Sequence, residues 1–247
     1  MIVAAHQPAF LPWLGYLDKL AKADLFVVMD DLQYEHGNFQ NRNRLKLDRG
    51  ARWVGVPVHG SRGSLLDKRI DNTGFGGRHH WQHRIWRTLE VHYGRAAAFA
   101  HHASALAEIF TVRRWEWLLD LDLELLELAR TWLGITGPIV RASALGLTGQ
   151  KTARIVSLCE RVGAKVYLSG SGGSTTYLDT DALAAAGISV AWQRFTHPVY
   201  PQRYPEVGFV SHLGFLDLVL NCGTQSAASA AIARIATIQT AGAGGQR

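Results

Sequence analysis

Apolar runs and helical spacing alternate from the start of the chain. Residues 2–5 and 25–29 are apolar enough for buried strands, and residues 14–22 between them have helical spacing. This order predicts a βαβ unit with parallel strands. Because ligands of such sheets bind beyond the carboxyl ends of the strands, we expect the polar pairs at 6–7 and 30–31 to share one rim.

The alternation continues through the rest of the chain. Further strands are predicted at 53–58, 139–141, 165–168 and 188–192, and helices at 80–92, 103–134 (broken near Thr111), 151–162 and 181–186. The pattern predicts an α/β fold with a Rossmann-like, mostly parallel sheet flanked by helices and a helical insertion around 79–134. We expect one domain over 1–224 and an Ala/Gly-rich tail over 225–247.

Composition excludes several protein classes. The 247 residues are 47% hydrophobic and 19% charged, which excludes disorder, collagen and a coiled rod. The apolar runs are far shorter than the roughly 20 residues of a membrane helix, so no membrane association is expected. The start shows no secretory pattern, and Cys159 and Cys222 are too few for a disulfide framework. We therefore expect a cytoplasmic protein.

The positive charge is concentrated in one segment. The net charge is +6, but residues 36–114 hold 14 Lys and Arg against 5 Asp and Glu, a local excess of nine. Such a segment favours an anionic partner, such as a nucleotide, a carrier-linked substrate or RNA. The alternative is a solvated basic surface.

The loop after the first strand carries the first candidate site. His6 suits acid–base chemistry near neutral pH, and Gln7 can orient a polar substrate. Tyr16 follows Gly15, which would let the helix start approach a ligand closely. This loop resembles the nucleotide-binding first loop of the cytidylyltransferases and class I synthetases, without their double-histidine signature. A histidine that only caps the strand end is the alternative.

A second polar cluster follows the second strand. Asp30 is a candidate general base, and the residues after it can bind a hydroxyl, an ammonium, a sugar or a phosphate. The alternative is a self-bonded turn, which Asn and Asp favour. The candidate binding residues here are Asp31, Gln33, Asn41, Asn43 and Arg44.

A glycine-rich loop over residues 169–179 follows a later strand. Its backbone N–H groups and hydroxyls can converge on an anion, although it matches neither the Walker A pattern nor a dinucleotide fingerprint. Lys151, at a predicted helix start, is a further anion ligand. A plain flexible turn is the alternative. The candidate binding residues here are Ser169, Gly170, Gly172, Gly173, Tyr177 and Asp179.

Two more candidates lie near the end of the domain. His197 sits in a proline-stiffened turn as a second acid or base, with Tyr200 and Gln202 beside it as binding residues. Cys222 is a candidate nucleophile, with a buried, inert thiol as the alternative. His79 and His83 lie one helical turn apart but lack the zincin glutamate, so no metal is predicted.

Taken together, these motifs resemble the WbqC-like protein family. The matching stretches keep the family's order and cover residues 6–20, 30–33, 41–44, 53–57, 169–179, 197–202 and 216–223. Ser171 stands where the family commonly has proline, and the Ala-rich tail is an addition. The resemblance implies a bacterial cytoplasmic protein encoded among genes for surface polysaccharide or specialised-metabolite assembly. The family's association with aminoacylated amino sugars also implies transfer of an aminoacyl or acyl group to an amine.

The leading hypothesis is therefore an amide-forming transferase. His6 or Asp30 would take the proton of the attacking amine, Arg44 and the glycine loop would hold the anionic donor, and His197 would assist the leaving group. The donor would be a carrier thioester or an aminoacyl-tRNA, with tRNA or acyl carrier protein as candidate partners. The alternatives are an ATP-dependent ligase or nucleotidyltransferase, and a non-catalytic RNA- or carrier-binding protein.

Overall fold

A computed structural model describes residues 1–170, 172 and 178–222. The strands are β1 (Ile2–His6), β2 (Leu25–Val28), β3 (Arg42–Leu47), β4 (Gly50–Gly55), β5 (Ile139–Arg141), β6 (Val166–Ser169) and β7 (Ser189–Trp192). The α-helices are α1 (Leu14–Lys22), α2 (Trp81–Tyr93), α3 (Phe99–Ala107), α4 (Leu118–Leu133), α5 (Lys151–Val162), α6 (Thr180–Ala185) and α7 (Leu216–Cys222).

Five strands form one parallel sheet in the order β5-β2-β1-β6-β7. If these five strands are renumbered 1 to 5 in chain order, the sheet has the order 3-2-1-4-5 of doubly wound folds. The chain adds strands toward one edge of the sheet up to β5 and toward the other edge from β6, so the switch point lies between β1 and β6. The register pairs His6 with Val28, so the carboxyl ends of β1 and β2 lie side by side. The predicted fold class, βαβ unit and shared rim are confirmed.

The strands bury alternate residues on the two faces of this sheet. Val3 and Ala5 pack with α5 and α6, whereas Ala4 packs with α1, α4 and α7. Apolar side chains thus cover the strands on both faces, which is why the strands have continuous apolar sequences. Among the helices that the structure describes, none combines the length and apolar character needed to cross a bilayer.

The helical insertion breaks where the sequence predicted. After α3 a single π-helical turn, Glu108–Val112, leads into extended backbone before α4 begins. Side chains satisfy the carbonyl groups that the break leaves open: Trp115 donates to Ile109 at 3.0 Å, and Gln82 donates to Ile109 at 2.9 Å and Arg113 at 2.7 Å.

The strand predicted at 53–58 is present but lies three residues earlier, as β4. It pairs antiparallel with β3 in a two-stranded hairpin that is separate from the parallel sheet. Hydrophobic patterning does not predict β3, because a polar residue, Asn43, occupies one of its buried positions. The Asn43 amide donates to the carbonyl oxygens of Phe10 at 3.2 Å and Leu11 at 2.7 Å. The side chain thus replaces an apolar residue by binding buried backbone.

Candidate functional site

A cavity of about 780 Å³ opens at the point where the strand order reverses. This is the position at which doubly wound sheets bind ligands, and the volume suits a small molecule. The ends of β1, β6 and β7 and the starts of α1 and α5 form its walls. The side chains used below are those of His6, Gln7, Trp13, Tyr16, Lys19, Glu35, Lys151, Arg154, Phe195 and His212.

His6 presents a neutral imidazole to this cavity. The Nδ1 atom lies 3.1 Å from the carbonyl oxygen of Gln7, so Nδ1 donates and Nε2 keeps its lone pair. Burial in the cleft, together with the positive charge of Lys19, lowers the pKa of His6 to about 3. At neutral pH the ring is therefore uncharged, and its Nε2 atom can accept a hydrogen bond. The His6 side chain is accessible from the cavity that it lines.

Lys19 is a buried cation without an anionic partner. The side chain is 5% exposed, and Nζ donates to the carbonyl oxygen of Ala5 at 2.9 Å. None of the ion pairs in the described part of the chain involves Lys19. Burial lowers the pKa of its ammonium to about 8. Because an unpaired buried charge is costly, an anionic group bound in the cavity would stabilise the charged form of Lys19.

Two further cations line the cavity from α5. Lys151 is exposed at the first position of the helix, and Arg154 lies one turn later. The guanidinium of Arg154 bonds to the carboxylate of Asp31, which lies next to Asp30 at the end of β2. On the opposite wall, Glu35 accepts a hydrogen bond from Gln7 at 3.2 Å. The cavity thus carries more positive than negative charge.

Aromatic rings form the other end of the cavity. The Trp13 ring stacks on the His212 ring at 5.1 Å and meets the edge of Phe195 at 5.5 Å. A Cβ atom on Gly15 would lie 2.1 Å from the Trp13 indole, so glycine is needed there for the ring to pack on α1. A ligand that fills the whole cavity would combine an anionic group with an apolar or planar one.

Tyr16 lines the cavity and interacts electrostatically with a buried acid on α4. Its ring lies 4.8 Å from the His6 ring, and its hydroxyl is buried without a hydrogen-bond partner. Asp122 is 1% exposed, and neither of its carboxylate oxygens has a partner. Burial raises the pKa of Asp122 well above its usual value and, with the Asp122 charge, raises that of Tyr16. Burial therefore favours the neutral form of the Asp122 carboxyl in the folded protein.

We expect Asp122→Asn to remove a pH dependence of stability. Because the carboxyl pKa is higher in the folded state than in the unfolded state, wild-type stability falls as pH rises above about 4. The neutral amide should make the variant more stable than wild type by about 1 kcal/mol or more at pH 8, and nearly equal to it near pH 4. Denaturant titration at both pH values measures this. Parallel curves for the two proteins would contradict the assignment.

Six predicted residues line the cavity. They are His6, Gln7, Tyr16, Lys151, Gly170 and Gly172. Asp31 reaches it indirectly by bonding Arg154. The predictions for Gly173 and Tyr177 lie outside the described residues.

Asp30 does not line the cavity, and its carboxylate is already engaged. It accepts hydrogen bonds from Arg141 Nε at 2.6 Å and from Ser143 N and Oγ at 2.9 and 2.7 Å. Burial opposes its ionisation, but these bonds outweigh that effect and lower its pKa. The geometry therefore favours a structural carboxylate that joins the ends of β2 and β5, rather than the predicted base.

The polar cluster after β2 is likewise occupied by the protein itself. Asn41 donates to Val56 at 2.8 Å, and Asn43 donates to the loop after β1. Arg44 donates to the carbonyl oxygen of His212 at 3.2 Å. Gln33 forms an isolated bridge with Ser64. Asn43 and Arg44 thus connect the hairpin to the loops that contain Phe10 and His212, and Asn41 bonds within the hairpin segment.

Asp217, on α7, organises the predicted residues of the proline-rich segment. Its carboxylate accepts hydrogen bonds from Tyr200 at 3.0 Å, Gln202 at 2.7 Å and Tyr93 at 2.7 Å. Tyr200 and Gln202 therefore support the fold outside the cavity.

Two residues of the predicted glycine loop also have local structural roles. Asp179 caps α6 by accepting from Asp181 N at 3.1 Å and Ala182 N at 3.0 Å. The side chain of Ser169 is buried at the end of β6, where its hydroxyl lies 3.4 Å from the carbonyl oxygen of Gly170.

His197 and Cys222 do not line the cavity. The His197 ring is 5.2 Å from that of His212, and its Nδ1 donates to Pro198 at 2.8 Å. Cys222 is 8% exposed, and burial together with the Asp217 charge raises its pKa to about 11. The geometry therefore disfavours Cys222 as a nucleophile, because the thiol stays protonated at neutral pH.

Other regions offer less to a ligand. An open cavity of about 760 Å³ beside α4 is lined by charged groups that pair with one another, as Arg113 does with Glu124 at 2.8 Å. Arg114 pairs in the same way with Glu116 at 3.1 Å. Across the residues that the structure describes, no three His, Cys, Asp or Glu side chains are grouped to hold a metal ion.

Helical spacing was the signal that could have revealed the missed cavity residues. Lys19 follows Tyr16 by three positions, and Arg154 follows Lys151 by three, so each lies on the same helix face as a predicted ligand. Trp13, Phe195 and His212 have no such signal, because the tertiary fold alone brings their loops together.

Comparison with known proteins identifies the family. The model of the WbqC-like protein family matches residues 7–229. The chain belongs to this family. The WbqC-like chain is also similar to an uncharacterized protein of Mycobacterium tuberculosis, Rv1507c, with 33% identity over 226 residues, which cover 91% of this chain and 95% of that protein. No solved structure is significantly similar to the WbqC-like chain.

Proposed function

We propose that this WbqC-like protein transfers an activated acyl or aminoacyl group to an amine, such as an amino sugar, and forms an amide. The observation that carries the proposal is the switch-point cavity, which combines the neutral imidazole of His6 with two cations that keep unused donors. Among the residues that the structure describes, Lys19 Nζ bonds only to the Ala5 carbonyl, and Arg154 Nε is buried without a hydrogen-bond partner. An acyl donor on a phosphate-bearing carrier and an amine on a nucleotide sugar would both supply anions for those cations.

His6 would act on the attacking amine. Its Nε2 accepts a hydrogen bond from the amine N–H and so aims the nitrogen lone pair at the acyl carbon. As the C–N bond forms, the nitrogen becomes strongly acidic and its proton passes to Nε2. The C–O or C–S bond to the carrier then breaks, and the proton leaves with the carrier.

Lys19 would bind an anionic substrate group from inside the wall of the cavity. Lys19→Met should raise the Kd of a nucleotide sugar about 10- to 100-fold, because a hydrogen bond to a charged group contributes about 1.5–3 kcal/mol. Wild-type binding should also weaken as pH rises through about 8, the pKa of Lys19, and the variant should lose this dependence.

Isothermal titration calorimetry with UDP-glucosamine measures both effects. Lys165→Met is the matched control, since Lys165 is exposed near the amino end of β6, away from the cavity. Equal affinities and equal pH profiles for wild type and Lys19→Met would show that Lys19 does not bind the anionic group of the substrate.

The strand order favours a second candidate function, an ATP-dependent ligase or nucleotidyltransferase. Doubly wound sheets bind nucleotides at the switch point, where this cavity lies. Such an enzyme would activate a free acid with ATP and release pyrophosphate before the amide forms.

One assay separates the two functions. The protein is incubated with a nucleotide-linked amino sugar and either a preformed donor (aminoacyl-tRNA or acyl-carrier thioester) or the free acid with ATP. Mass spectrometry detects the amide, and a coupled assay detects pyrophosphate. Amide from a preformed donor without ATP supports the transferase. Amide only with ATP and matching pyrophosphate supports the ligase, and no amide under either condition contradicts both.

A further inference from the structure

The outer face of the β3–β4 hairpin carries exposed aromatic rings beside cations. Trp53 is 50% exposed and lies directly opposite Arg44 in the strand register. The guanidinium carbons of Arg42 and Arg44 lie 4.4 and 5.8 Å from the centre of the indole ring. Phe39, 41% exposed, packs 5.6 Å from the same ring. We call these four residues the hairpin face.

A second cavity borders this face. It has a volume of about 460 Å³, and Trp53 and Arg42 form its edge toward the hairpin. His79 and Arg84 add basic groups on the α2 side, and Trp81 contributes an apolar wall. Asp71 is the acidic residue in this lining, and its carboxylate accepts hydrogen bonds from Thr73 N and Oγ1 at 2.9 and 2.6 Å. The space is large enough for one nucleobase, with basic groups on both sides where phosphates would lie.

The hairpin face is also connected to the main cavity. Arg44 donates to the backbone carbonyl of His212 at 3.2 Å, and His212 lines the main cavity. A chain of phosphates that crosses the hairpin would therefore reach the mouth of the proposed active site. The face belongs to the segment 36–114, which holds the local excess of nine positive charges.

The side chains of the hairpin face favour one class of polyanion over the others. Guanidinium groups alone would suit any acidic partner, but an exposed indole beside a nucleobase-sized cavity suits a partner with planar rings between its phosphates. We propose that the hairpin face binds single-stranded RNA, the polynucleotide end of an aminoacyl-RNA donor. The choice of RNA rests on the proposed function, in which such a donor is one of the candidates.

Fluorescence anisotropy with a labelled single-stranded RNA of about ten nucleotides tests the proposal on the full-length protein. We expect binding that weakens steeply with salt and a Kd that rises about tenfold in Trp53→Ala. Trp53→Phe should restore most of the affinity, because it restores a stacking ring. Trp192→Ala is the matched control, since Trp192 is 39% exposed on β7 and should leave the Kd unchanged.

Unchanged RNA affinity in Trp53→Ala, or no RNA binding at low salt, would overturn the proposal. Binding of an acyl carrier protein that depends on Trp53, without RNA binding, would overturn it as well. The measurement needs no turnover, so it is independent of the amide assay. Amide formation from a carrier thioester without RNA binding would remove only the hairpin proposal. RNA binding without amide from any donor would remove only the transferase.

Discussion

Replacing His6 with asparagine should lower the kcat of amide formation by about 10²- to 10⁴-fold, the usual contribution of a positioned acid–base group. Asparagine can keep the hydrogen bond that Nδ1 now makes to the Gln7 carbonyl, but it has no atom in the place of Nε2. The variant therefore removes the proton acceptor while it retains the local backbone contact. The substrate KM should change much less than kcat.

His83→Asn is the matched control for this experiment. His83 is exposed on α2 and lines none of the three cavities described above. Its turnover should equal that of wild type. If His6→Asn kept the wild-type kcat at the same donor and acceptor concentrations, His6 would have no role in proton transfer.

Asp217→Ala should reduce the free energy of unfolding by about 3 kcal/mol or more. The carboxylate is fully buried and accepts hydrogen bonds from Tyr93, Tyr200 and Gln202. Removing it leaves these buried donors without their acceptor, and each lost partner costs about 1–3 kcal/mol. The same change would loosen residues 200–202 from α7. It would also loosen Tyr93 from the hairpin, where the Tyr93 hydroxyl accepts a hydrogen bond from Lys46 N of β3 at 3.0 Å.

Denaturant titration of Asp217→Ala measures this loss. Asp67→Ala is the control, because Asp67 is exposed and its loss should change stability by less than about 0.5 kcal/mol. Asp217→Asn should fall between the two, since one oxygen acceptor remains. Equal stabilities for Asp217→Ala and wild type would contradict the supporting role given to Tyr200 and Gln202.

The sheet could be predicted because its residues obey simple burial rules. Residues 2–5 and 25–29 are buried on both faces and so are apolar throughout, and α5 begins and ends where its spacing indicated. The hairpin could not be predicted, because Asn43 looks polar in sequence but is buried by bonds to backbone carbonyls. Hydrophobic patterning does not detect a residue of this kind.

The candidate site was predicted in part for a related reason. His6 and Gln7 can be predicted because topology defines the strand end at the switch point. Asp30, Asn41 and Tyr200 are polar residues outside the apolar runs, yet each forms hydrogen bonds with other groups of the protein. The sequence shows which side chains can form hydrogen bonds, but only the fold shows whether the partner is a ligand or the chain itself.

The most direct test of the central claim is a crystal structure of the protein with the amide product, an N-acylated nucleotide amino sugar. The account predicts density in the cavity between β1 and β6, with the amide nitrogen within hydrogen-bond distance of His6 Nε2. The pyrophosphate should contact one or more of Lys19, Lys151 and Arg154. Product bound only in the cavity beside Trp53, or bound with no contact to His6, would contradict the assignment of the switch-point cavity as the active site.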